Sequence, residues 1–163
     1  MAAYTGTDAE GNDIITSHKS EYGGYETVNG LRAGTYNVVT ESGAYLGMQE
    51  SGVIIHEFMH CLGYPDLYRV GATSGSTALP VGYWDIMSKV SYRLQYPLAY
   101  LRSHYTNWFN IPTITEDVTG YSIYSASAAT DATKDNQALI LKTDYSDTEF
   151  FVVEYRSTAN EYM

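Results

Sequence analysis

The stretch that decides the reading is 56-HEFMHCLGYPD-66, two histidines, a glutamate and a late aspartate spaced around one glycine. Val53, Ile54, Phe58 and Leu62 recur at helical spacing, with Glu50 or Ser51 as a start and Gly63 then Pro65 as a stop. That pattern predicts a helix over 51–62. Positions four apart on a helix lie one turn apart on the same face, so His56 and His60 can aim two imidazoles at one point. A tetrahedral metal needs that of two ligands. Glu57 follows the first histidine, which sets its carboxylate beside such a metal rather than on it, where a general base belongs.

A catalytic zinc site takes three protein ligands and keeps a fourth position for water. The third donor is either an acid on a later helix or a side chain returned by a sharp turn. The later helical stretch with its approach, YRLQYPLAYLRSHYTNW (92–108), contains no Asp or Glu, and His104 is the rival ligand on it. Gly63 suits the left-handed conformation that ends a helix and reverses the chain, Pro65 forbids resumption, and Asp66 follows at once. Asp66 can therefore present a carboxylate oxygen to the metal; the competing reading of a Pro-Asp pair is a turn cap. At about one in twenty per fixed position, HExxHxxGxxD arises by accident in roughly one such chain in ten thousand or fewer. A zinc site is the better reading than a helix with coincidental lettering.

From Gly52 to Met87 the chain, through HEFMHCLGYPDLY and WDIMS, resembles the metzincin zinc peptidases, and most of all the immune inhibitor A-like secreted bacterial metallopeptidases. Fainter similarity runs through Asn107–Trp108 and EFFVVEYR (149–156). The resemblance implies that His56, His60 and Asp66 are zinc ligands, Glu57 is the catalytic acid/base, and Met87 is the methionine of the turn beneath the metal. It implies peptide-bond hydrolysis by zinc-activated water, with Glu57 taking the proton and passing it to the leaving amine. Tyr92, five residues past Met87, matches a tyrosine that stabilises an oxyanion in some metzincins; among 17 tyrosines a structural role is the simpler reading. The chain departs from the family at Met59, where relatives usually have glycine, and at Cys61, directly after a ligand. Neither departure removes a ligand. Too little strand precedes the helix for a complete metzincin upper half, so the chain is expected to begin inside the catalytic domain.

Composition bounds the partners. A formal charge of −10 repels phosphate backbones and anionic lipid. No apolar run reaches the roughly 18 residues of a spanning helix, and MAAYTGTDAEGND lacks the features of a signal peptide. The expectations are a protein or peptide substrate, no nucleic acid, no membrane insertion and a monomer, in a secreted or cell-surface protein whose signal lies upstream. Cys61 is the only cysteine, so no internal disulfide can form, and it reads as a small buried residue.

The fold class is α+β. The first 35 residues read as loops and short strands, TYNVVT (35–40) as a strand beside the substrate cleft, and 70–82 as a loop. A second helix is predicted over 97–108, with Pro97 in its first turn. Strands are predicted in GYSIYSA (120–126), QALILKT (137–143) and EFFVVEYR (149–156). Residues 1–110 are expected to form the metzincin-like catalytic domain and 111–163 a β-rich C-terminal extension packed on it. Acids near Asp66 and in DATKDN (131–136) can bind calcium, although solvated loops explain them equally. The alternative to an enzyme is a non-catalytic zinc-binding or adhesion module.

Overall fold

Helix α1 (Glu50–Cys61) forms where the apolar spacing places it, in a computed structural model that describes residues 5–7, 10–15, 17–39, 50–69, 79–91 and 94–157. Its end is a Schellman motif. The Gly63 N–H reaches His60 O at 3.1 Å and the Tyr64 N–H reaches Met59 O at 3.2 Å, with Gly63 at φ +93°. Ile54, Phe58 and Leu62 revealed the helix by their period, yet all three are exposed. The inward face carries Gly52, Ile55, His56, Glu57 and Met59 instead. A Cβ on Gly52 would stand 2.5 Å from Val90 Cγ1, so glycine is what lets α1 approach that segment.

Among the described residues, six short strands precede the helix. Strand β1 (Thr5–Thr7) pairs with β2 (Asp13–Ile15), β3 (His18–Glu21) with β6 (Thr35–Val38), and β4 (Thr27–Val28) with β5 (Leu31–Arg32), all antiparallel. Both β3 and β6 contact α1. The expected strand at 35–40 is thus present as β6, its last residue, Thr40, lying outside the described residues.

Helix α2 (Ala99–Thr106) is shorter than predicted at both ends. Leu98, extended at φ −50° and ψ 144°, is its N-cap, which puts Pro97 before the helix rather than in its first turn. Two acids satisfy the free amides there: Leu98 N–H donates to Asp85 Oδ2 at 2.5 Å and Ala99 N–H to Glu154 Oε2 at 2.7 Å. Asn107 adopts a left-handed conformation and ends the helix before Trp108.

The C-terminal sheet has the order β7 (Thr113–Ile114), β8 (Ala138–Lys142), β9 (Phe150–Glu154), the first pair parallel and the second antiparallel. Two of the expected strands are therefore found, but GYSIYSA is not one. Its alternation turns Ser125 inward and leaves Tyr121 and Tyr124 exposed, so no apolar face is gained by pairing. It ends in a 3-10 turn at Ala126–Ala128.

Among the described residues the core consists of two clusters. Tyr64, Ile86, Met87 and Leu101 form the one beneath α1, with Ile55, Met59 and Leu67 packed against it. Ala99, Phe109 and Ala138 form the other, which joins α2 to the C-terminal sheet. Buried Arg102 contributes to that junction. It donates to Pro97 O (3.0 Å) and Gln137 Oε1 (2.7 Å), and its guanidinium lies 4.9 Å from the Phe109 ring centre. Burial above all pulls its pKa down to about 10.

Candidate metal centre

Two elements bring the candidate ligands together. Helix α1 supplies His56 and His60 from one face, and the reversal at Gly63 swings the chain back so that Asp66 faces both. Asp66 Oδ1 lies 3.3 Å from His56 Nε2 and 3.2 Å from His60 Nε2. Among the described residues this is the one group of three or more His, Cys, Asp or Glu side chains gathered closely enough to hold an ion.

The outer nitrogens fix the tautomers. His56 Nδ1 meets Ile86 O at 2.9 Å and His60 Nδ1 meets Tyr64 O at 2.7 Å. A carbonyl only accepts, so each Nδ1 carries a proton and donates it, which leaves each Nε2 to face Asp66. Asp66 Oδ1 is itself buried and receives no hydrogen bond. A buried carboxylate oxygen thus faces two ring nitrogens without a hydrogen bond, an arrangement that costs free energy unless something positive sits between them. Donor atoms held about 2.0–2.1 Å from a tetrahedral zinc would be spaced by about 3.3 Å, close to the distances found. The donor set fits the metal.

The turn after Trp84 locks this arrangement from below. Met87 is fully buried; its N–H donates to Asp85 Oδ1 at 2.6 Å, and its carbonyl accepts the Leu67 N–H at 2.9 Å. Adjacent carbonyls of Ile86 and Met87 therefore hold His56 and the residue next to Asp66. Burial raises the Asp85 pKa, against the lowering effect of its two amide bonds.

A cleft of about 510 Å³ opens beside the three groups, lined by Glu57, Tyr64, Tyr68 and, from the β3 side, Ser17, His18 and Lys19. The strand beside the cleft is thus β3, not the 35–40 segment. Sequence HKSE lacks the β-branched alternation that marks a strand, so its role was not legible there. Glu57 is buried yet reaches the cleft. Tyr68 stacks on His56, ring centres 6.4 Å apart and planes at 15°. Its pKa is pushed up by burial first, then by the hydrogen bond to Asp66 and the charges of Asp66 and Glu57, so the phenol stays protonated. Sequence reading passed over Tyr68, although a residue two past the third candidate ligand on a returning chain stays near the site.

Other candidates lie elsewhere. His104 stacks on Tyr100, ring centres 5.3 Å apart, and is not in the converging group. Cys61 is half-buried, with Sγ 3.1 Å from Asn37 Oδ1. Met59 packs against the core beneath the helix. In 131–136, Asp135 Oδ1 accepts the Asn110 N–H at 2.8 Å, and among the described residues these acids join no group of three or more such side chains. Tyr92 and the loop at 70–78 lie outside the described residues.

Residues 1–109 match the family described as immune inhibitor A peptidase M6, catalytic domain. The chain belongs to this family. Pre-pro-metalloprotease PrtV, from two strains of Vibrio cholerae serotype O1, is 35% identical to the M6 chain over 88 residues, 50% of its length. The matched stretch spans 9% of the length of these relatives. No solved structure gives a significant match. Among the described residues, no helix of this M6 chain is long and apolar enough to cross a membrane.

Proposed function

We propose that this chain is the catalytic part of a secreted, zinc-dependent endopeptidase of metzincin type. The observation that carries the reading is the orphaned Asp66 Oδ1, facing two imidazole Nε2 atoms at 3.2 and 3.3 Å. His56, His60 and Asp66 would hold the ion, a nitrogen and oxygen set that suits zinc. When bound, zinc supplies Lewis-acid chemistry, lowering the pKa of water toward about 7 and polarising a carbonyl. Glu57 holds its carboxylate at the cleft, takes a proton from the attacking water and delivers it to the leaving amine. Met87 and its turn support the ligands without binding the ion.

Three protein donors beside a roomy cleft support an enzyme over a closed structural site, which takes four protein ligands. Among the described residues β3 pairs with β6 alone, and its Ser17–Lys19 segment lines the cleft. An extended peptide can add to such an edge through main-chain hydrogen bonds. The family match ending at residue 109 supports a catalytic unit of residues 1–110, with 111–163 an extension packed on it. The pre-pro wording of the relatives' name supports a secreted location.

The test uses the full-length protein. Glu57→Gln should keep zinc and lose about 10²–10⁴-fold in turnover, whereas Asp66→Ala should weaken the metal itself. Full turnover in Glu57→Gln would refute the assignment of the base. Absence of bound zinc in the parent would refute the metal reading.

A further inference from the structure

Each imidazole of the centre has a backbone carbonyl to fix it, His56 on Ile86 O and His60 on Tyr64 O. Asp66 projects from a loop with no such anchor on Oδ1, and a carboxylate on a loop turns freely unless something holds it. Tyr68 meets both needs from outside the motif. Its ring lies parallel to His56, it lines the same cleft as Asp66, and the Asp66 carboxylate acts on its hydroxyl, raising its pKa.

We infer that Tyr68 is a positioning residue of the metal centre: its hydroxyl fixes the Asp66 carboxylate so that Oδ1 faces the ion, and its ring limits rotation of His56. The inference rests on the zinc reading above. A donor to a ligating carboxylate acts on the metal by orienting the ligand, and loss of such a partner typically costs 10–100-fold in metal affinity. Tyr68→Phe separates the two contacts, because it deletes the hydroxyl and keeps the stacked ring. Tyr68→Leu deletes both.

The experiment measures zinc affinity of the full protein by competition with a chromogenic chelator, and the visible spectrum of its cobalt(II) form. Tyr68→Phe should bind zinc about tenfold or more weakly and shift the cobalt bands, since the carboxylate is reoriented. Tyr68→Leu should bind more weakly still. Parent-like affinity and an unchanged cobalt spectrum in Tyr68→Phe would overturn the inference while leaving the zinc reading intact. A parent that takes up neither metal would overturn both. A variant that merely loosened the fold would leave the cobalt bands in place, which also counts against the positioning role.

Discussion

Replacing Gly63 with alanine tests the link between helix termination and the site. Gly63 sits at φ +93°, where an L side chain crowds its own backbone, at a cost of roughly 1–2 kcal/mol. The added Cβ would meet only Tyr105 Cδ1, at 3.4 Å, an ordinary contact, so the penalty is conformational rather than steric. Alanine also narrows the unfolded ensemble, but that gain, about 0.4–1 kcal/mol where the backbone suits it, is outweighed at positive φ. Urea unfolding of the metal-free protein should show a lower midpoint at unchanged slope, and Tm should fall by about 2–4 °C per kcal/mol. Zinc affinity should fall too, because the reversal at Gly63 delivers Asp66. Gly63→Asn should recover most of the loss, since asparagine tolerates this region better than alanine. Parent-like stability in Gly63→Ala, or equal damage from asparagine, would refute the reasoning.

Two further substitutions probe the supports. Asp85 has a raised folded pKa, so its contribution is fully present below the ordinary carboxylate pKa and is lost as pH rises through the folded value. The stability gap between parent and Asp85→Asn should therefore be widest at acid pH and shrink toward neutrality, as read by urea midpoints across pH. Arg102→Ala should cost about 2–5 kcal/mol, because it strands the buried acceptors Pro97 O and Gln137 Oε1. Arg102→Lys should cost less; calorimetry of both variants checks the order.

The gathering of the candidate ligands was largely legible because its information is local. His56, His60, Gly63 and Asp66 lie within 11 consecutive residues, and helix geometry plus one glycine turn suffices to gather them. Elements whose reason lies in tertiary contact were not legible. Strand β3 is polar and forms because β6 pairs with it against α1. Helix α2 starts at Ala99 rather than Pro97 because Asp85 and Glu154, 13 and 55 residues from their partners, occupy its free amides. GYSIYSA has the letters of a strand but no apolar face to bury. Tyr68 carried no pattern of its own and gains its meaning from the ring it stacks on and the carboxylate beside its hydroxyl.

The paired carbonyls of Ile86 and Met87 give the centre a mechanical property. No side-chain substitution deletes a carbonyl, so the fastening of His56 and of the loop bearing Asp66 is insulated from ordinary point mutation. Both segments also hang from neighbouring peptide units. Any displacement of that turn carries histidine and aspartate together, so strain from repacking around Met87 moves the pair as a unit before it opens the gap between them.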